Sequence, residues 1–298
     1  MTAEKFDVYS HVTSQIIAQI EAGTPPWRKP WTGGGGGVSL PERFNGEAYR
    51  GINILMLWAT AMAKDYSSAR WMTFNQAKQL GGHVRKGEKS ATVVKYGTVE
   101  REDENGEERQ IPYAKAYRVF NADQIDGLPE QFYARPAAPA APAQRIAHAD
   151  AFFATTGAII RHGGDKAFFA PSLDLIQMPP FESFRDPESY YATLAHETVH
   201  WAGAEHRLNR DLSRYHSDRS ERAREELIAD LGACFVSADL GIVPELEPRA
   251  DHASYLASWL DVLSNDKRFI FSAAAHAQRA VAYLHGLQPD SGMVREAA

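Results

Sequence analysis

The 298-residue sequence predicts an α+β protein of two domains, and three observations support this. Residues 135–144, rich in proline and alanine, contain no large apolar side chain that could enter a core, which is typical of an extended linker. Before this segment helical and β-rich patterns alternate, whereas after it the clearest patterns are helical. We therefore place the first domain at residues 1–127, the linker at 128–145 and the second domain at 146–298.

The first domain combines helical and β-rich segments. Helices are predicted at residues 5–22, 51–63 and 71–81, and β-rich segments follow at 91–100 and 111–121. An acidic turn joins the two β-rich segments, which indicates a β-hairpin. The first domain is therefore predicted to be α+β by itself.

The second domain contains the motif His-Glu-x-x-His on a predicted helix at residues 189–202. His196 and His200 are four residues apart, so their imidazoles share one helix face and can bind one metal ion. Glu197 lies beside them, where a general base that takes a proton from water is needed. Because three fixed residues also recur by chance, a satisfied core with two histidines is the alternative.

A second acidic pair lies downstream on another predicted helix. Glu226 and Asp230 are also four residues apart, and they stand among apolar residues. Two buried carboxylates on one face need a cation to neutralise them. We assign Glu226 as the third metal ligand and Asp230 as the acceptor that orients a ligand histidine. Glu225 is the alternative ligand, and a solvated helix edge with paired arginines is the alternative to a metal site.

The two motifs together resemble the gluzincin class of zinc metallopeptidases. That resemblance implies metal-assisted hydrolysis, in which Glu197 takes a proton from water and later delivers it to the leaving amine. Zn²⁺ is the expected cofactor, although a His₂Glu site also accepts Mn²⁺ or Co²⁺. An oxyanion stabiliser is needed as well, and the sequence does not choose among His206, Tyr215 and His216.

Composition and the chain termini bear on the cellular compartment. The formal net charge is −6, and Cys234 is the single cysteine, so no intrachain disulfide can form. The first ten residues lack a signal-peptide pattern, and the apolar stretch at residues 52–63 is too short to span a bilayer. The sequence therefore predicts a cytoplasmic protein with no membrane association.

Charge is unevenly distributed along the chain. Residues 1–127 contain 16 Lys and Arg against 15 Asp and Glu, and six of those acids, with one arginine, lie at residues 100–108. Without that segment the first domain has 15 basic against 9 acidic residues. Residues 128–298 contain 16 basic against 23 acidic residues. The first domain is therefore basic outside its hairpin tip, and the second is acidic.

Aromatic residues are interleaved with the basic residues of the first domain, which is typical of proteins that bind single-stranded nucleic acid. Cations follow the phosphates, and flat side chains stack on bases. The alternative is that the aromatic residues form core and the lysines form solvated faces. The predicted DNA-binding residues are Trp27, Arg28, Lys29, Trp31, Arg50, Asn53, Trp71, Arg85, Lys86 and Lys89.

Residues 27–31, 49–58, 71–77, 82–89 and 119–124 resemble the N-terminal domain of ArdC-type antirestriction proteins, which is similar to the N-terminal region of TraC-type plasmid primases. The His-Glu-x-x-His and Glu-Glu-Leu-Ile-Ala-Asp segments are similar to the zincin-like metallopeptidase domain that follows it. This resemblance implies a single-stranded-DNA-binding domain joined to a mostly helical, gluzincin-type domain with a small sheet. It also implies protection of incoming conjugative plasmid DNA from host restriction.

Two hypotheses about function follow from these features. In the first, an active metallopeptidase is brought to single-stranded DNA and cleaves a host protein near it, with restriction-system proteins as the expected partners. In the second, a DNA-binding antirestriction protein uses its metal site for structure or regulation. Glu197 favours the first hypothesis, because a purely structural site needs no base.

Overall fold

The computed structural model describes residues 7–23, 25, 27, 39–102, 108–133, 142–215, 217–242 and 252–289. These residues form two compact units. The first unit contains the described residues up to Tyr133 apart from Ser39, which groups with the second unit. The protein is α+β in both units, as the sequence predicts.

The described part of the first unit combines three α-helices with six strands. In chain order they are α1 (Val8–Glu21), β1 (Glu42–Arg43), α2 (Ile52–Lys64), β2 (Arg70–Met72), α3 (Phe74–Gln79), β3 (His83–Val84), β4 (Ala91–Glu102), β5 (Glu108–Asn121) and β6 (Ile125–Asp126). Strands β1, β2, β5 and β4 lie in that order in one sheet, and β3 pairs with β6.

The predicted hairpin is confirmed as the longest pairing of this sheet. Strands β4 and β5 are antiparallel and in continuous register from Ala91 opposite Val119 to Glu102 opposite Glu108. Strand β2 pairs with the other edge of β5. Strand β4 therefore forms an edge of the sheet.

Side-chain capping sets where α1 and α3 begin. The Asp7 carboxylate accepts hydrogen bonds from the first backbone amides of α1, and the apolar stripe of this helix is buried. The prediction of a helix at residues 71–81 is wrong at its start. Trp71 and Met72 belong to β2, and Thr73 forms a capping box with Gln76 that starts α3 at Phe74.

The predicted linker at residues 128–145 is too long at both ends. Leu128 and Phe132 pack in the same core cluster as Met72, so the first unit continues beyond residue 127. At the other end a helix already begins at Pro142, where the missing amide of proline costs no helical hydrogen bond. Residues 134–141 lie outside the described part of the chain.

The second unit is mostly helical and contains a small sheet. Its elements are α4 (Pro142–Ala154), β7 (Ile159–His162), β8 (Phe168–Ala170), β9 (Leu175–Met178), α5 (Pro187–Ala202), α6 (Arg219–Asp239), α7 (His252–Asn265) and α8 (Phe269–Gly286). The central strand β9 is parallel to β7 and antiparallel to β8. None of the helices described in either unit is long and apolar enough to cross a membrane.

Helices α5 and α6 are buried along most of their length and pack against each other. Their close approach depends on Gly232 of α6. A Cβ atom at this position would lie 2.7 Å from Cγ2 of Val199 on α5. Any larger residue would therefore push the two helices apart at the level of the His-Glu-x-x-His motif.

Helix α2 covers the free edge of β4 through one side chain. The Asn53 amide nitrogen donates to the Val94 carbonyl at 2.9 Å, and its oxygen accepts from the Val94 amide at 2.7 Å. Because Val94 is only 4% exposed, these two backbone groups would otherwise have no partner. The Asn53 side chain was predicted to contact DNA, but both of its polar atoms are bound to the backbone of β4 instead.

We expect Asn53→Ala to destabilise the first unit by about 1–3 kcal/mol, because it leaves buried backbone groups unpaired. Urea denaturation followed by circular dichroism and tryptophan fluorescence measures this loss. Asn75→Ala, on the exposed side of α3, is the matched control and should change stability by less than about 0.5 kcal/mol. Equal stability of the Asn53→Ala variant and the unmodified protein would contradict the edge-capping role.

Candidate metal centre and nucleic-acid interface

Helix α5 brings the two histidines of the motif together inside the second unit. His196 and His200 are 5% and 8% exposed, and their Nε2 atoms lie 3.1 Å apart. The i, i+4 spacing puts both rings on the face that packs against α6. The helix therefore presents two nitrogen donors to a single point.

Helix α6 supplies a third donor to the same point. The Glu226 carboxylate lies 3.4 Å from His196 Nε2 through Oε2 and 3.6 Å from His200 Nε2 through Oε1. One donor atom from each of these three buried residues falls within 4.8 Å of the others. Two ligands at about 2.0–2.1 Å from a tetrahedral ion lie about 3.3 Å apart, so the spacing fits a bound metal.

Two further carboxylates orient the histidine rings. Asp230 lies 2.9 Å from His196 Nδ1, and Glu225 lies 2.9 Å from His200 Nδ1. A neutral histidine that donates from Nδ1 has its Nε2 lone pair free for a metal. Two such lone pairs at 3.1 Å repel each other unless a cation or a proton stands between them. This donor chemistry also fits a metal ion.

Glu225 and Glu226 are adjacent on α6, but they contact different nitrogen atoms of the histidine rings. Glu226 faces the histidine Nε2 atoms, whereas Glu225 contacts the far side of the His200 ring. Glu226 therefore stays our predicted third ligand, and Asp230 our predicted partner of a ligand histidine. The orienting position of Glu225 was not foreseen from the sequence.

Arg210 is a second residue of the site that the sequence did not indicate. Its guanidinium donates to Glu225 Oε1 at 2.6 Å and Oε2 at 3.0 Å, and to the Val199 carbonyl at 2.7 Å. A Cβ atom at Gly203 would collide with this guanidinium, so glycine is needed there. Arg210 follows α5 in an irregular segment without periodicity, and no local pattern marks it.

Attraction between opposite charges favours the charged forms of His196, Glu225 and Glu226 despite their burial. Burial alone lowers the pKa of His196, but hydrogen bonds to Asp230 and Glu226 raise that pKa to about 10. Burial raises the pKa of Glu226, and the two histidines and Tyr215 outweigh this and lower it. The same competition, with His200 and Arg210 as partners, lowers the pKa of Glu225. The site therefore stabilises positive charge at its centre.

Of the remaining catalytic candidates, Glu197 and Tyr215 lie near the two histidines, whereas His206 does not. Glu197 is 4% exposed and lies close enough to His196 to raise the pKa of that histidine. The Tyr215 hydroxyl donates a hydrogen bond to Glu226, and its ring centroid lies 6.1 Å from that of His200. His206 is exposed and pairs with Asp174 instead. His216 lies outside the described residues.

The predicted DNA-stacking tryptophans are corrected by the structure. Trp27 is fully buried, and Trp71 is 1% exposed. A ring inside a core cannot stack on a base, so neither is a stacking platform in this fold. Their large apolar surfaces are used to stabilise the unit instead.

The remaining predicted residues of the DNA interface fall into three groups. Arg85 is bound to carboxylates of Glu88 and Asp126 and to the Asp123 carbonyl, so its charge is already compensated. The other described ones are exposed and stay predictions: Arg50, Lys86 and Lys89. Three predicted residues lie outside the described part of the chain: Arg28, Lys29 and Trp31.

We expect Glu226→Gln to lower metal affinity more than Glu225→Gln, because only Glu226 offers an oxygen to the ion. Glu225→Gln, which perturbs a ligand's partner, should weaken binding roughly 10–100-fold. Zn²⁺ titration against a competing chelator measures the metal affinity of each variant. Glu221→Gln, on the first turn of α6, is the control and should bind as the unmodified protein does. A larger loss with Glu225→Gln would exchange the two roles.

Two protein families match the chain in succession. The N-terminal domain of anti-restriction factor ArdC matches residues 6–120, and the zincin-like metallopeptidase family matches residues 147–276. A Sinorhizobium fredii protein, y4eC, itself uncharacterized, is 44% identical over 96% of this chain and 94% of its own length. DNA primase TraC of Escherichia coli is 36% identical over 94% of this chain, which spans only 27% of that protein.

Solved structures of a relative cover nearly the whole chain. The metal-free crystal structure of antirestriction protein ArdC from plasmid R388 is 55% identical, with a TM-score of 0.82 over 95% of this chain and 98% of that one. Its Mn(II)-bound structure is 53% identical, with a TM-score of 0.80 over 96% and 100% of the two chains. The chain therefore belongs to the ArdC antirestriction family, with a zincin-like metallopeptidase domain after the ArdC N-terminal domain.

Proposed function

We propose that this protein is a cytoplasmic antirestriction factor that binds single-stranded DNA and carries a working metallopeptidase, and that it protects incoming conjugative plasmid DNA from host restriction. The observation that carries the peptidase half is the convergence of His196, His200 and Glu226 beside Glu197. Three protein ligands with an adjacent base are typical of a catalytic rather than a structural zinc site.

His196, His200 and Glu226 would hold a divalent metal, which would supply a Lewis acid for activating water and polarising a peptide carbonyl. Glu197 accepts the proton of the attacking water and returns it to the leaving amine. Asp230 and Glu225 hold the two imidazoles in orientation throughout. Of the two described oxyanion-donor candidates, Tyr215 hydrogen-bonds Glu226 whereas His206 pairs with Asp174, which supports our assignment of Tyr215 to that role.

The expected metal is Zn²⁺, on the strength of the two-histidine, one-glutamate donor set. Mn²⁺ is also compatible, because the R388 relative has a Mn(II)-bound structure, and Co²⁺ suits the same ligands.

The DNA-binding half is supported by the first unit. Its family match is to the N-terminal domain of ArdC, and a relative that shares most of this chain is a DNA primase. Outside the acidic hairpin tip, the first domain has more basic than acidic residues, as a phosphate-binding surface needs. Single-stranded DNA is the proposed ligand, and host restriction-system proteins are the proposed substrates.

We expect Glu197→Gln to slow peptide hydrolysis by about 10²–10⁴-fold while leaving bound metal and thermal midpoint unchanged, because it removes only the base. Cleavage of restriction-system subunits, and self-cleavage, with and without single-stranded DNA, measures this. Glu205→Gln, an exposed acid just beyond α5, is the control.

A mating assay into a restricting recipient tests whether hydrolysis is needed for antirestriction. We expect the Glu197→Gln variant to lose protection. Equal protection by this variant and the unmodified protein would favour the second hypothesis, in which the metal is structural or regulatory.

We expect the protein to bind single-stranded oligonucleotides more tightly than duplexes of the same length. The logarithm of the binding constant should fall linearly with the logarithm of salt concentration, by about 0.7 for each phosphate neutralised. Fluorescence anisotropy across a salt series measures both effects. A flat salt response, or a preference for duplex, would reject single-stranded DNA as the ligand.

A further inference from the structure

One face of the β4–β5 hairpin is exposed and carries aromatic and basic residues. Since directly opposed residues of an antiparallel pair lie on the same face, the register defines its members. We call this the hairpin face, and it consists of Lys95 opposite Lys115, Val99 opposite Ile111, and Tyr113 and Tyr117, which lie opposite Gly97 and Val93. Tyr113 and Tyr117 are 39% and 36% exposed, and both lysines are exposed.

The two lysines of the hairpin face lie in a position that costs stability. Lys95 and Lys115 are directly opposed, and like charges in directly opposed positions destabilise a sheet. In the described part of the chain, neither lysine is paired with a carboxylate, and the hairpin face contains no acidic residue. An anionic ligand would remove this repulsion.

The tyrosines of the hairpin face are held on its surface. A Cβ atom at Gly97 would lie 2.6 Å from the Cζ and hydroxyl oxygen of Tyr113, so the absence of a side chain at Gly97 makes room for this ring on the strand. The Lys115 ammonium lies 5.4 Å from the centre of the Tyr117 ring, within cation–π range. Each ring thus contacts a neighbour on the hairpin face without being buried.

We propose that the hairpin face is the docking surface for single-stranded DNA, an inference that rests on the DNA-binding function proposed above. Tyr113 and Tyr117 stack on bases, and Lys95 and Lys115 neutralise the phosphates between them. Four residues along a strand separate the rings by about 14 Å, so they engage different bases. In a duplex the base faces are already stacked, which accounts for a preference for single strands.

Charge complementarity selects this ligand. An apolar partner protein would gain from Val99 and Ile111, whose exposure is 48% and 43%, but would bury two opposed lysines without compensation. A phosphate chain compensates both lysines, and its bases use the flat tyrosine rings. Tyr113 and Tyr117 of the hairpin face therefore replace Trp27 and Trp71, which are buried, as the proposed stacking residues.

The lysine pair permits a test in which stability and binding change in opposite directions. Lys115→Glu converts the like-charge pair into an opposite-charge pair, so the thermal midpoint should stay equal or rise. Affinity for a dT oligonucleotide should nevertheless fall at least tenfold at low salt. Lys78→Glu, the same charge change at an exposed position on α3, is the matched control and should lower affinity less than threefold.

Stacking is tested separately with Tyr113→Ala and Tyr117→Ala. Each should weaken oligonucleotide binding by roughly 5- to 150-fold, the range seen for the loss of one stacked base. Phe74→Ala removes a ring that is 56% exposed on α3 and should leave the affinity unchanged. If the unmodified protein binds the oligonucleotide but all hairpin-face variants bind equally well, the hairpin face is not the site.

Two further measurements keep the inference testable if a variant misfolds. Photo-crosslinking of the unmodified protein to a bromodeoxyuridine oligonucleotide should label peptides from β4 or β5, and labelling confined to other peptides would overturn the proposal. Sedimentation of the free protein should be unaffected by Lys115→Glu. A changed oligomeric state with unchanged DNA affinity would assign the hairpin face to a second copy of the chain. Failure of the unmodified protein to bind any oligonucleotide would instead reject the DNA-binding function itself.

Discussion

The second unit depends on the burial of a charged network between α5 and α6. Glu225, Glu226 and Asp230 bring three negative charges to the buried histidines, and Arg210 brings one positive charge. Burying such charges is favourable only when each is paired and hydrogen-bonded. With both histidines neutral, as metal ligands must be, these three carboxylates exceed Arg210 by two negative charges, and buried Glu197 adds another, so a divalent cation would offset most of the excess. Metal binding and the stability of this helix pair are therefore coupled.

The close packing of the same two helices makes this network possible. Gly232 lets α6 approach Val199 of α5, and Gly203 leaves space for the Arg210 guanidinium. Rigid helices then hold each donor atom in place through backbone hydrogen bonds, which suits a centre whose ligands must be oriented before binding. Two glycines that offer no ligand atom thus help to set the geometry of the site.

Some aromatic residues of the first unit fill its core, and others lie on its surface. Trp27 and Trp71 are enclosed in the fold, whereas Tyr113 and Tyr117 remain on the hairpin face. Composition cannot separate these uses, because a tryptophan beside basic residues satisfies both a core pattern and a stacking pattern. Burial distinguishes them, and burial depends on contacts between segments far apart in sequence.

The amino-acid sequence by itself determined the features that follow from local periodicity: the helix that pairs His196 with His200, the helix that carries Glu226 and Asp230, and the hairpin. Tertiary structure decided how Glu225 and Glu226 divide their roles, because adjacent helical residues point about 100° apart and packing sets the helix rotation. Tertiary packing also places Arg210 against Glu225 and buries Trp27 and Trp71. It brings Asn53 to the edge strand β4, whose backbone it hydrogen-bonds. These outcomes depend on long-range packing, which no local pattern in the sequence records.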